Sequence, residues 1–161
     1  MLRSLLTSGL ILGTACQAAA QEEVDPGNLN ISATVGGKAY HSEGVGTCKH
    51  EPDAAIYNVP AALWMVEQDG SADASIKSLR LTVWRPKDGS PEQISLNLTT
   101  RSGSHRIDVG GRGDQVGSAK MSLAKSGAGG RFELKGRDQA GSSIDLLISC
   151  PAFAGIEAEG G

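Results

Sequence analysis

Apolar and polar residues alternate in short runs along this chain, with glycine-rich punctuation between the runs. Leu29, Ile31, Ala33 and Val35 alternate with Asn30, Ser32 and Thr34, the period-two signature of a strand with one buried face. Gly36-Gly37 offers a two-residue hairpin turn into 38–41. Leu79, Leu81 and Val83 point one way and Arg80, Thr82 and Trp84 the other, before Arg85-Pro86-Lys87-Asp88-Gly89-Ser90-Pro91 breaks the chain with turn chemistry. The alternation resumes at Ile94, Leu96 and Leu98, then in 106–109, at Met121 and Leu123, and at Phe132 and Leu134. The last run is Ile144, Leu146, Ile148 and Cys150.

Short strands 10 to 15 residues apart with polar outer faces predict an all-β fold. The expected architecture is an antiparallel β-sandwich, with a barrel as the alternative, of eight or nine short strands closed by one disulfide. One segment is ambiguous. Residues 60–68, Pro-Ala-Ala-Leu-Trp-Met-Val-Glu-Gln, fit a helix with Pro60 at its first position or a strand apolar on both faces. The absence of helical pattern nearby favours the strand.

The first 20 residues follow none of this. Arg3 is their only charge, 5–12 is mostly apolar, and Ala18-Ala19-Ala20 leads abruptly to Gln21-Glu22-Glu23. A basic start, a short apolar middle and an Ala-x-Ala exit make a secretory signal. The apolar run falls well short of the roughly 20 residues of a spanning helix. Two exits are open. A cut after Ala20 releases a soluble protein, whereas acylation of Cys16 leaves a lipoprotein hanging from the envelope. A lipobox wants Leu three places before its cysteine and Gly13 stands there, which favours the cut after Ala20. The expected organisation is signal peptide 1–20, polar tether 21–28, β-sandwich 29–153 and disordered tail 154–161.

Export changes the meaning of the cysteines. Cys48 and Cys150 remain in the folded domain, and an even pair in an oxidising compartment forms a disulfide. Cys150 is also in phase with the buried face. Charge changes less. Losing Arg3 leaves 14 basic against 18 acidic side chains, a net charge of −4. The signs are mixed with no basic run, which speaks against nucleic acid.

Candidate chemistry is sparse. Arg112-Gly113-Asp114, the tripeptide that integrins read in animal adhesive proteins, sits in a glycine-rich loop. Turns favour Gly and Asp for backbone reasons alone. In the same loop Gly117 comes one residue too late for a dinucleotide fingerprint. His41, His50 and His105 lack metal-ligand spacing and read as scattered surface histidines. No Gly-x-Ser-x-Gly elbow occurs, and no carboxylate pair suggests glycosidase chemistry. The best binding candidate is Trp84 on its strand's polar phase with Arg80 and Arg85, since aromatic and arginine anchors enrich at binding surfaces. Arg112 and Asp114 are the second. No catalytic residue, metal or cofactor is expected.

The layout resembles the small two-cysteine envelope lipoproteins typified by the mycobacterial 19-kDa lipoprotein antigen. The shared elements are an opening strand with Val35-Gly36-Gly37-Lys38, a cysteine shortly after it, and a closing strand ending in cysteine. That family implies a disulfide-closed β-sandwich displayed at the surface, with no catalytic residues to transfer. The functional expectation is a non-enzymatic exported or envelope-associated module, meeting an unknown protein or glycan ligand at the cell surface. The alternatives are a cell-wall-directed hydrolase with a loop-built site and a small inhibitor of another exported protein.

Overall fold

The computed structural model describes residues 27–156 except 57, 72 and 112. The expected signal peptide with Cys16, the expected tether as far as residue 26, and Arg112 lie outside the described residues. So do Tyr57 and the last five residues. The described chain forms nine strands: β1 (Asn28–Val35), β2 (Lys38–Ile56), β3 (Val59–Asp69), β4 (Ile76–Pro86), β5 (Gln93–Thr100), β6 (Gly103–Val109), β7 (Ser118–Ser126), β8 (Gly129–Arg137) and β9 (Ser143–Cys150). Their order is β6-β5-β4-β3-β2-β1-β9-β8-β7, in a nearly closed, barrel-like sheet.

Almost every ladder joins sequence neighbours, and the long-range pairing of β1 with β9 brings the first and last strands together. The Gly36–Gly37 turn joins β1 to β2 with φ of 55° and 83°. Positive φ at both central residues is what a type I′ hairpin requires.

β2 is the corner of the fold. Its residues from Lys38 to Val45 pair with β1, and those from Gly46 onward pair with β3. It therefore belongs to two sheets, β7-β8-β9-β1-β2 and β2-β3-β4-β5-β6. Gly46 stands at the crossing, where a Cβ would lie 2.5 Å from Leu29 Cδ1 and 2.6 Å from Glu67 O. No larger residue fits while the chain changes sheets.

The inner faces interlock into one core. Leu29, Ile31, Val66, Leu79, Leu81, Leu96, Ile107, Phe132, Leu134 and Ile148 are among its members. Segment 60–68 is strand β3. Trp64 and Val66 face this core, while Leu63 and Met65 lie on the outer phase.

Cys48 and Cys150 are bonded to each other, 102 residues apart in sequence. β1 pairs with β2 as far as Asn28–Val45 and with β9 as far as Asn30–Ser149. The bridge ties β2 to β9 just past this end. The chain does not leave the sheet at Cys150. Ala154 N donates to Cys48 O at 2.9 Å, and His50 N donates to Ala154 O at 2.8 Å.

The barrel has a seam between β6 and β7. Strand directions alternate from β1 to β6, and also back from β1 through β9 and β8 to β7. That leaves β6 and β7 running the same way, unable to form an ordinary hairpin ladder. The 110–117 link turns back instead, and Val116 pairs antiparallel with Asp108 through two 2.8 Å hydrogen bonds. Among the described residues no helix is long and apolar enough to cross a membrane.

Candidate functional site

The period-two pattern that builds the core also arranges the outer face of the β8-β9-β1-β2 sheet in rows. Direct pairing aligns Glu133, Leu147, Ser32 and His41 in one row, and Lys135, Asp145, Thr34 and Ala39 in the next. These residues line an open groove of about 610 Å³. Its charges are locally balanced: Arg131 Nη2 lies 3.3 Å from Glu133 Oε1, and Lys135 Nζ lies 3.9 Å from Asp145 Oδ1. Ser32 Oγ and His41 Nδ1 are 3.3 Å apart. Among the described residues no carboxylate bonds His41 in turn, so the pair lacks the third member of a nucleophilic triad. The groove offers hydroxyls, cations and carboxylates at strand spacing, which suits hydrogen bonding to an extended polar ligand.

The residues singled out from sequence do not form one patch. Arg80 and Trp84 share the outer phase of β4, and Arg80 is fully engaged. Its guanidinium forks onto Asp69 at 3.0 and 2.8 Å, lies 3.6 Å from Glu67, and donates to the carbonyls of Gln68 and Leu79. Hydrogen bonding from Arg80 holds the Asp69 carboxyl below its ordinary range. Trp84 is half-buried, and its indole N–H is shielded without an acceptor among the described residues. Arg85 faces the other way. Its guanidinium carbon lies 5.2 Å over the Trp64 ring and its Nε donates to Glu92 at 2.6 Å. Asp114 is exposed in the seam loop.

The histidines depart from the expected scatter over the surface. Only His41 is exposed. His50 stacks on Trp64 with ring centroids 4.5 Å apart and planes 2° from parallel, and meets Phe153 edge-on. Arg85 lies over the same Trp64 ring, and the stack sits on β2 two residues beyond the bridged Cys48. Such aromatic and cationic contacts contribute roughly 0.5–1.5 kcal/mol each. No group of three metal-ligating side chains forms among the described residues.

His105 leads to a feature that the sequence pattern does not reveal. It donates from Nδ1 to Asp138 Oδ2 at 2.7 Å, and Asp138 is only 3 % exposed. The other carboxylate oxygen accepts the N–H groups of Ala140 and Ser142 at 2.9 and 2.8 Å. The next residue, Gln139, completes the contact with β6. Its N–H donates to Arg106 O, its Oε1 accepts from Arg106 N, and its Nε2 donates to Ser104 O. The β8–β9 turn thus stands in for a missing neighbour strand. An Asx turn is readable in Asp138-Gln139-Ala140-Gly141, but nothing local announces a partner 33 residues away.

The chain matches no protein-family model, no curated protein and no solved structure.

Proposed function

We propose that this protein is an exported, non-enzymatic module that binds a glycan or protein ligand, or plays a structural part, at the bacterial cell surface. The observation that carries the reading is the polar groove across β8, β9, β1 and β2. Its rows of hydroxyls and paired charges match the alternating donors and acceptors of an extended glycan, while the interior behind it is filled with apolar side chains. A disulfide between buried cysteines is compatible with an oxidising compartment. The export signal, and the layout shared with two-cysteine envelope lipoproteins, point the same way.

The test is a titration of the protein with envelope glycan fragments, followed residue by residue by nuclear magnetic resonance. Shifts are expected at Ser32, His41, Lys135 and Asp145, and the R131A/K135A pair should weaken binding about tenfold, the worth of one charged hydrogen bond. Shifts confined to Trp84 and its neighbours, or none at all, would overturn the groove. Release of shortened glycan would make the protein a hydrolase instead. A separate labelling experiment addresses the anchor: the cut after Ala20 predicts no fatty-acid label on the exported protein, and label on Cys16 would show the lipoprotein form.

A further inference from the structure

Edge strands expose unpaired backbone groups that template association, and folded proteins normally cover them. This fold covers nearly all of its own. The edge of β2 that β3 does not reach is met by Ser75, whose Oγ accepts from His41 N and donates to His41 O. Gln68 Nε2 donates to Gly44 O beside it. Where β1 has ended, Ala154 bonds β2 in its place. The edge of β6 is taken by Gln139 and Val116.

β7 is different. It pairs with β8 from Ser118–Arg137 to Ser126–Gly129, and among the described residues nothing hydrogen-bonds its other edge. Its inner-phase residues Ala119, Met121 and Leu123 are only half-buried, whereas Phe132 and Leu134 beside them on β8 are 1 % exposed. The apolar inner face runs out unfinished at this strand.

The sequence of β7 is Ser-Ala-Lys-Met-Ser-Leu-Ala-Lys-Ser, which is nearly symmetric about Ser122. We propose that β7 is the docking edge for a second copy of this chain, paired antiparallel about a two-fold axis through Ser122. In that register Met121 faces the partner's Leu123 on the inner side, and Ala119 faces the partner's Lys125. On the outer side Lys120 faces the partner's Ala124, and Ser118 the partner's Ser126. All nine residues pair and no lysine opposes a lysine. A parallel in-register pairing sets Lys120 against Lys120 and Lys125 against Lys125, a destabilising arrangement. The like-charge clash therefore selects the antiparallel direction, the register about Ser122 is the one that pairs the whole strand, and the contact is self-complementary, as a two-fold interface must be. This is strand addition at a sheet edge with the protein as its own partner.

Sedimentation equilibrium of the protein should show a concentration-dependent dimer. Ala124 is exposed and would face the partner's Lys120 twice per dimer. A124E should therefore tighten association and A124K weaken it, each by about fivefold for two cross-strand contacts. S122C places two sulfurs across the axis, within the roughly 7 Å Cα separation that a disulfide tolerates, and should cross-link readily under oxidation. S126C sits about 26 Å from its own symmetry mate at 3.3 Å per residue and should not. Thermal unfolding of each variant separates lost association from lost fold. A monomer at every concentration, equal effects of A124E and A124K, or equal cross-linking of S122C and S126C overturns the proposal.

Discussion

Replacing both Cys48 and Cys150 with alanine is expected to lower stability by roughly 4–5 kcal/mol. The bridge joins residues 102 apart, so in the unfolded chain it closes most of the domain into one loop. Losing that constraint enlarges the unfolded ensemble, with little change in the folded contacts. For a domain of this size the midpoint of thermal unfolding should fall by about 12–20 °C, and calorimetry of the oxidised protein beside the double variant measures it. The bridge also does local work. It ties β2 to β9 where β1, the strand between them, has ended, and Ala154 bonds to β2 on either side of Lys49. Cys48 and Cys150 are 5 % and 6 % exposed, so a thiol reductant should act on the native protein only as fast as the molecule opens. A loss below about 1 kcal/mol would mean that the β1–β9 ladder alone already holds the two ends of the chain together.

That bridge is legible in the amino-acid sequence, and the reason is physical. An expected oxidising compartment, an even pair and the phase of Cys150 each constrain the cysteines independently of the fold's details. The strands with one buried face are equally legible, because a single slip would turn Ile31 or Leu96 out to water. β2 is not. Gly44, Gly46 and Pro52 interrupt its alternation, and only its first four residues read as strand. The interruptions are what let one 19-residue strand turn from one sheet to the other. β3 is ambiguous in sequence because apolar residues occupy both phases, Leu63 and Met65 outside as well as Trp64 and Val66 inside, which erases the period that separates strand from helix. The shared phase of Trp84 and Arg80 holds in the fold, but Arg85 cannot join them, since neighbours on a strand point to opposite faces. The groove is hidden for a different reason. Its rows are assembled from β1, β2, β8 and β9, and their register depends on the β1–β9 ladder, a pairing between the first and last strands that no local pattern specifies.

The seam is the second place where one side chain should matter greatly. Asp138→Ala is expected to cost about 3–5 kcal/mol, because it strips partners from three buried or half-buried donors at once. His105 loses the acceptor of its Nδ1–H, and the N–H groups of Ala140 and Ser142 lose theirs. The turn that presents Gln139 to β6 then loses its frame, so amide exchange should accelerate first at Arg106 and Gln139 and only later in β4. Burial pushes the Asp138 carboxyl up. The hydrogen bonds from His105, Ser142 and Ala140 more than reverse this and leave it below its ordinary 3.8. A carboxyl held lower in the folded than in the unfolded chain stabilises the fold above its unfolded value, and that contribution disappears as pH falls through the depressed one. Asp138 should therefore contribute fully at pH above 3.8 and progressively less below it. Asp53 and Asp69 are shifted the same way by surface ion pairs that salt screens, and the hydrogen bond from Ser90 that lowers Asp88 is common to the protein and to a variant at Asp138. Urea unfolding in high salt across the acid range therefore isolates the buried group. The stability gap between the protein and Asp138→Asn should narrow as pH drops below 3.8, since protonation makes the two side chains alike in charge. A gap that stays constant through the acid range would show that the seam is held by the Gln139 contacts and the Val116 pairing rather than by the carboxylate.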